Sequence, residues 1–123
     1  MSSSPDTPAA VVQRQLEAYN ARDIASFMAT WADEAQYFSH PSTLLAQGEA
    51  AIRERHVVRF QEPNLHGELI KRVVLGSTVV DHERVTRTFP EGVGHVEVIA
   101  IYEVTEEKIT KAWFIVGPKA LVP

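Results

Sequence analysis

Cysteine is absent from this chain of 123 residues. That absence excludes a disulfide framework, thiolate zinc sites, iron–sulfur clusters and a cysteine nucleophile together. Positive charge is also scarce: 12 Lys and Arg stand against 16 Asp and Glu, for a net charge of −4, and the basic residues are scattered. No nucleic-acid partner is expected from such a distribution. Nowhere do 18 apolar residues run together, and Met1 to Pro8 has neither a basic nor an apolar targeting region, so no membrane association and a cytoplasmic setting are expected. The five histidines, His40, His56, His66, His82 and His95, form no metal-ligand spacing, and Gly92-Val93-Gly94 reads as a hairpin turn with no helix after it. Neither metal nor organic cofactor is expected. What is present is the composition of one soluble globular domain, 45% apolar and 23% charged. It is long enough to bury roughly two-thirds of its unfolded surface.

Thr7-Pro8 is a helix start, because threonine caps free N–H groups and proline at the first helical position loses nothing. A first helix is predicted to about Ala21, with Val12, Leu16 and Tyr19 on one stripe. Asp23 offers a second cap, and Ile24, Phe27, Met28 and Trp31 follow at i, i+3, i+4 and i+7, predicting a helix that includes Trp31. A short extended run ends at His40-Pro41. A third helix over about 49–60 places Ile52, His56 and Phe60 together. Segments 65–75, 78–89, 95–105 and 108–116 are rich in Val, Ile, Thr and aromatics and read as strands joined by short turns. Helices first and strands afterwards predict an α+β fold with helices on one face of a curved antiparallel sheet. Residues 9–118 form the expected domain, with a flexible tail at 1–8 and a second tail at 119–123.

Strand register decides which polar groups face inward. In 95–105 the even set Val96, Val98, Ala100, Tyr102 and Val104 is apolar and faces the helices. A five-residue turn at 90–94 pairs Phe89 with His95, so that His82 meets Tyr102, Arg84 meets Ala100 and Thr86 meets Val98, all inward. A one-residue bulge reverses the parity and swings Asp81, Glu83 and Arg87 inward instead. On the last strand, a strict two-residue turn at Glu106-Glu107 sends Trp113 inward and a bulged one sends Phe114.

The run Leu16, Ala18, Tyr19, Asn20, Arg22, Asp23, Ile24, Phe27 and Trp31, then Gly48-Glu49-Ala50-Ala51-Ile52-Arg53, resembles the helical half of the nuclear transport factor 2-like superfamily. The stretches Asp81 to Val85, Ile99 to Val104 and Lys108 to Phe114 resemble its sheet. The likeness spans about 10–117 and is nearest the SnoaL-like and ketosteroid isomerase-like branch. It implies a conical fold with three N-terminal helices enclosing one pocket against the sheet, and a homodimer through the outer sheet face, where Ile99, Ile101 and Trp113 would lie. The catalytic carboxylates of ketosteroid isomerases and limonene epoxide hydrolases are not matched. Ser39-His40-Pro41 stands where the isomerases carry a base, and Arg84-Val85-Thr86 matches only the arginine of the hydrolases' Arg-x-Asp.

The expected chemistry is proton transfer next to a carbonyl, as in an isomerase, cyclase or dehydratase, on an apolar substrate with an anionic or enolisable group. His40 would be the base, Arg84 with Tyr102 would stabilise the enolate or bind a carboxylate of the ligand, and His82 would return the proton. Tyr19, Trp31, Tyr37, Phe60, Thr86 and Phe114 would line the ligand site. The alternative is a homodimeric protein that binds a small ligand without chemistry.

Overall fold

The computed structural model describes residues 6–122. Helix α1 spans Pro8–Ala21, capped by Thr7, whose side chain accepts from the Ala10 N–H. It ends at Arg22, in the left-handed conformation with φ 57°. Helix α2, Ile24–Met28, is capped by Asp23 and is shorter than predicted. Thr30 closes it by donating its hydroxyl to the Phe27 carbonyl at 2.7 Å. The Thr30 carbonyl accepts from the Ile109 N–H at 2.8 Å, so Trp31 opens strand β1, Trp31–Ser39, instead of extending the helix. Strand β2, Thr43–Gln47, returns beside it, and helix α3 follows over Gly48–Arg59. Four long strands complete the chain: β3 His66–Leu75, β4 Thr78–Phe89, β5 Gly92–Thr105 and β6 Lys108–Leu121.

These strands form one six-stranded sheet in the order β2-β1-β6-β5-β4-β3. β1 runs parallel to β6 and every other pair is antiparallel, so the sheet is mixed where an antiparallel one was expected. The three helices pack on one face, and the α+β class and the pocket-enclosing arrangement stand. β6 continues through residues 119–121, where Val96 pairs with Lys119 and Gly94 with Leu121. The expected C-terminal tail is therefore mostly strand. Residues 1–5 of the expected N-terminal tail lie outside the described residues, and Asp6 is tied down, donating to Glu107 and accepting from Arg14.

Between sheet and helices sits an aromatic core centred on Phe27, within 6.2 Å, centroid to centroid, of Tyr19, Trp31, His56 and Phe60. Burial of such rings supplies a large part of the apolar stabilisation and fixes the helices over the sheet.

Candidate active site

The β4–β5 hairpin determines what the cavity contains. Only Pro90 and Glu91 form its turn: Phe89 pairs with Gly92, Asp81 with Ala100 and Glu83 with Val98. Proline second and glycine fourth in Phe89-Pro90-Glu91-Gly92 suit a tight turn, and Gly92 adopts φ 135°. Odd positions of β4 thus meet even positions of β5, and because side chains alternate, the whole of β4 presents its other set inward. Asp81 and Glu83 are buried, and Arg87 lines the cavity.

The five-residue turn is thereby corrected, and its inward residues with it. His82 lies on the outer face, 2.8 Å from Glu97. Arg84 is half exposed there beside Glu68 at 3.9 Å, and Thr86 contacts His95 at 3.2 Å. The likeness to the epoxide hydrolase arginine fails in the same way. His40 is exposed in the turn after β1, its backbone N–H held by the Phe114 carbonyl. The predicted constellation of His40, His82, Arg84 and Tyr102 is not assembled; of the four, only Tyr102 reaches the cavity.

That cavity has a volume of about 150 Å³. Of the residues expected around the ligand, Tyr19, Tyr37 and Phe114 lie in the wall of this cavity. Trp31 and Phe60 do not; both are buried in the aromatic core. Phe114 faces inward because β5 and β6 slip register between Glu103 and Val104, which pairs Ala100 with Phe114. Trp113 falls on the outer face, stacked on Phe38 at 5.6 Å.

Glu83 lines the cavity from β4. No hydrogen-bond partner for its carboxyl occurs among the described residues. Burial raises its pKa to about 7, with the neighbouring Asp81 charge adding to the shift and Arg72 opposing it. Asp81 is fully buried and takes a bidentate pair from Arg72 at 2.7 and 2.9 Å, while Arg72 also donates to Gln13. Asp81 is thus an anchored charge beside Glu83, and Arg72 answers most of it.

Across the cavity, α3 contributes His56, with Nδ1 at 2.8 Å from the Ile52 carbonyl. Burial lowers its pKa to about 4 despite that bond, and Arg59 and Arg55 lower it further. The ring is therefore neutral at physiological pH, with Nδ1 as donor and Nε2 left as an acceptor. Burial holds the Tyr102 phenol well above its ordinary range, with the Glu83 and Asp81 charges contributing. Tyr19 is raised by burial too, against the influence of Arg59. Both therefore remain O–H donors at neutral pH. Arg55, Arg59 and Arg87 complete the lining. Among the described residues no cluster of His, Asp and Glu suits a metal ion.

Sequence reasoning reached Glu83 and Arg87 only through the alternative parity. It missed Arg55 and Arg59, although Ile52, Arg55, His56 and Arg59 follow one another at i, i+3, i+4 and i+7, the spacing of a single helix face.

Helices packed over one face of a curved sheet, with titratable groups turned into the space between, are the architecture of the nuclear transport factor 2-like superfamily. The family model for the SnoaL-like domain matches residues 12–112, and the chain belongs to that family. Solved structures agree on the fold. An uncharacterized cystatin-fold protein from Novosphingobium aromaticivorans is 23% identical with a TM-score of 0.83, over 89% of this chain and 98% of that one. A candidate hydroxylase from Streptomyces galilaeus is 14% identical with a TM-score of 0.76, over 89% and 78%. A candidate polyketide cyclase from Sinorhizobium meliloti is 17% identical with a TM-score of 0.72, over 85% and 93%. No curated protein matches. Among the described residues no helix is long and apolar enough to cross a membrane.

Proposed function

We propose that this protein is an acid–base enzyme of the SnoaL-like type that moves a proton at a carbon next to a carbonyl in a small, mostly apolar substrate. Glu83 is the proton carrier, in place of the histidine expected from the sequence. One observation carries the reading: a carboxyl with no hydrogen-bond partner among the described residues is set in the wall of a cavity, where burial brings its pKa to about 7. A group so poised has both forms well populated at neutral pH, which suits general catalysis. As carboxylate it takes the α-proton: the C–H bond breaks, its electron pair moves to the carbonyl oxygen as an enolate, and a Glu83 O–H forms. As acid it returns that proton to the same or another atom, so the cycle conserves protons. Protonated Tyr102 and Tyr19, which line the same cavity, are donors for the enolate oxygen, and neutral His56 accepts from a substrate hydroxyl. The likeness to a candidate polyketide cyclase supports chemistry on enolisable carbonyls.

Hydrogen–deuterium exchange at the α-carbon of cyclohexanone in D2O, followed by proton NMR, tests the reading. The wild type accelerates exchange over buffer, and Glu83→Gln loses about 10²-fold or more of that acceleration. Saturable binding of the ketone with no exchange above buffer overturns it in favour of a ligand-binding protein without chemistry.

The same reading includes a homodimer. Ile99, Ile101 and Trp113 lie together on the outer face of β5 and β6, away from the helices, and Trp113 is braced by Phe38. A second copy of this face is its proposed cover.

A further inference from the structure

The geometry points to a carboxylate-binding subsite formed by Arg55 and Arg59 at the mouth of the cavity, and to a ligand with a compact apolar body carrying a single carboxylate. The two arginines stand one turn apart on α3, both lining the cavity, and like charges at that spacing repel each other. Arg87, the third arginine there, is already satisfied: Glu62 accepts from it at 2.7 and 2.9 Å and also from the Thr88 N–H. Among the described residues no carboxylate lies within ion-pair distance of Arg55 or Arg59. Arg55 Nε is buried with no hydrogen-bond partner among the described residues, and the guanidinium lies 5.1 Å from the Tyr37 ring centre. A buried donor of this kind is ordinarily paired, and a ligand oxygen in the mouth supplies the missing acceptor.

Charge and size narrow the ligand class. Behind the mouth, about 150 Å³ matches a cavity that holds one benzene-sized body. Outside it lies an open groove of about 570 Å³, bordered by the same three arginines and by Glu54 and Glu62. A phosphate would turn its second charge toward those two acids, whereas a planar carboxylate spends its one charge on the guanidinium edges, whose fork it matches. Only the orientation of the ligand's enolisable carbon toward Glu83 rests on the acid–base reading; the subsite does not.

Benzoate, benzamide and inorganic phosphate are the probes, titrated calorimetrically at pH 7 into the full chain. Benzoate binds, and benzamide, with the same shape and no charge, binds about tenfold or more weakly. Arg55→Gln and Arg59→Gln each weaken benzoate about ten- to a hundredfold, as loss of a charge-assisted hydrogen bond implies, and weaken benzamide, whose oxygen carries no charge, by about threefold or less. Arg59→Lys keeps the charge without the fork and recovers part of the loss, which separates recognition from misfolding. Equal affinity for benzoate and benzamide, tighter binding of phosphate, or indifference to both arginine variants overturns the subsite. Arginine-dependent benzoate binding by a wild type that exchanges no α-hydrogen keeps the subsite and removes only the acid–base reading; exchange without charge-dependent binding does the reverse.

Discussion

Glu83 and His56 face one cavity and pull stability in opposite directions as pH changes. Folded Glu83 titrates at about 7 against an ordinary 4.5, so the native chain holds a proton the unfolded chain has released. Its contribution is fully present below pH 4.5 and is lost as pH rises to 7. Folded His56 titrates at about 4 against an ordinary 6.5. Its contribution is fully present above pH 6.5 and is lost as pH falls to 4. Each shift is worth on the order of 3 kcal/mol, so between pH 4.5 and 6.5 the two slopes largely offset. Glu83→Gln removes one of them. Urea denaturation of this variant is expected to show stability rising from pH 4 to 6.5 and then levelling, and exceeding wild type at pH 8 by about 2–3 kcal/mol. A variant curve parallel to the wild-type curve contradicts the titration assigned to Glu83.

At the scale of elements, the carboxyl of Glu83 is set by a three-way junction of β4, β3 and α1. Asn20 on α1 grips the β3 backbone at Gly67 from both sides, donating to its carbonyl at 2.9 Å and accepting from its N–H at 2.8 Å. A Cβ at Gly67 would stand 3.1 Å from Glu83 Oε1 and 3.2 Å from Leu16 Cδ1. Gly67→Ala therefore moves the carboxyl by tenths of an ångström. The expected result is roughly a tenfold loss of α-hydrogen exchange with ketone affinity nearly kept, since reaction geometry is less tolerant than binding. Unchanged exchange kinetics would separate Glu83 from the chemistry. The elements themselves were largely legible. Thr7-Pro8, Asp23 and the apolar stripes located the helices, and β-branched runs located β3 to β6, because capping and periodicity are local properties. Trp31 is ambiguous in the sequence because a helical stripe and the first residue of a buried strand both place an apolar ring at that point; the Thr30 contact with β6 decides between them.

The molecule as a whole has a second apolar surface besides the pocket, on the far side of the sheet. If two copies cover it, sedimentation velocity finds a dimer, and Ile101→Lys or Trp113→Glu shifts it to monomer with far-ultraviolet circular dichroism unchanged; a wild type that is monomeric at high concentration removes the dimer. The two faces also show where sequence reasoning stopped. The chain by itself determined the helix-on-sheet class, the apolar inner face of β5 and the helical stripes that carry Tyr19 and His56, because those follow from spacing within one element. Only the tertiary structure decided that Glu83 and not Arg84 enters the cavity. That choice turns on whether Gly92 to Gly94 belongs to the turn or to β5, and both readings satisfy the local preferences of glycine. Pairing with β6 settles it: Gly94 packs so closely on Ala120 that a Cβ would lie 2.7 Å from its carbonyl oxygen, which places Gly94 inside the sheet. With a period of two, that short stretch of pairing exchanged every inward side chain of β4, turning Asp81, Glu83 and Arg87 inward in place of His82, Arg84 and Thr86.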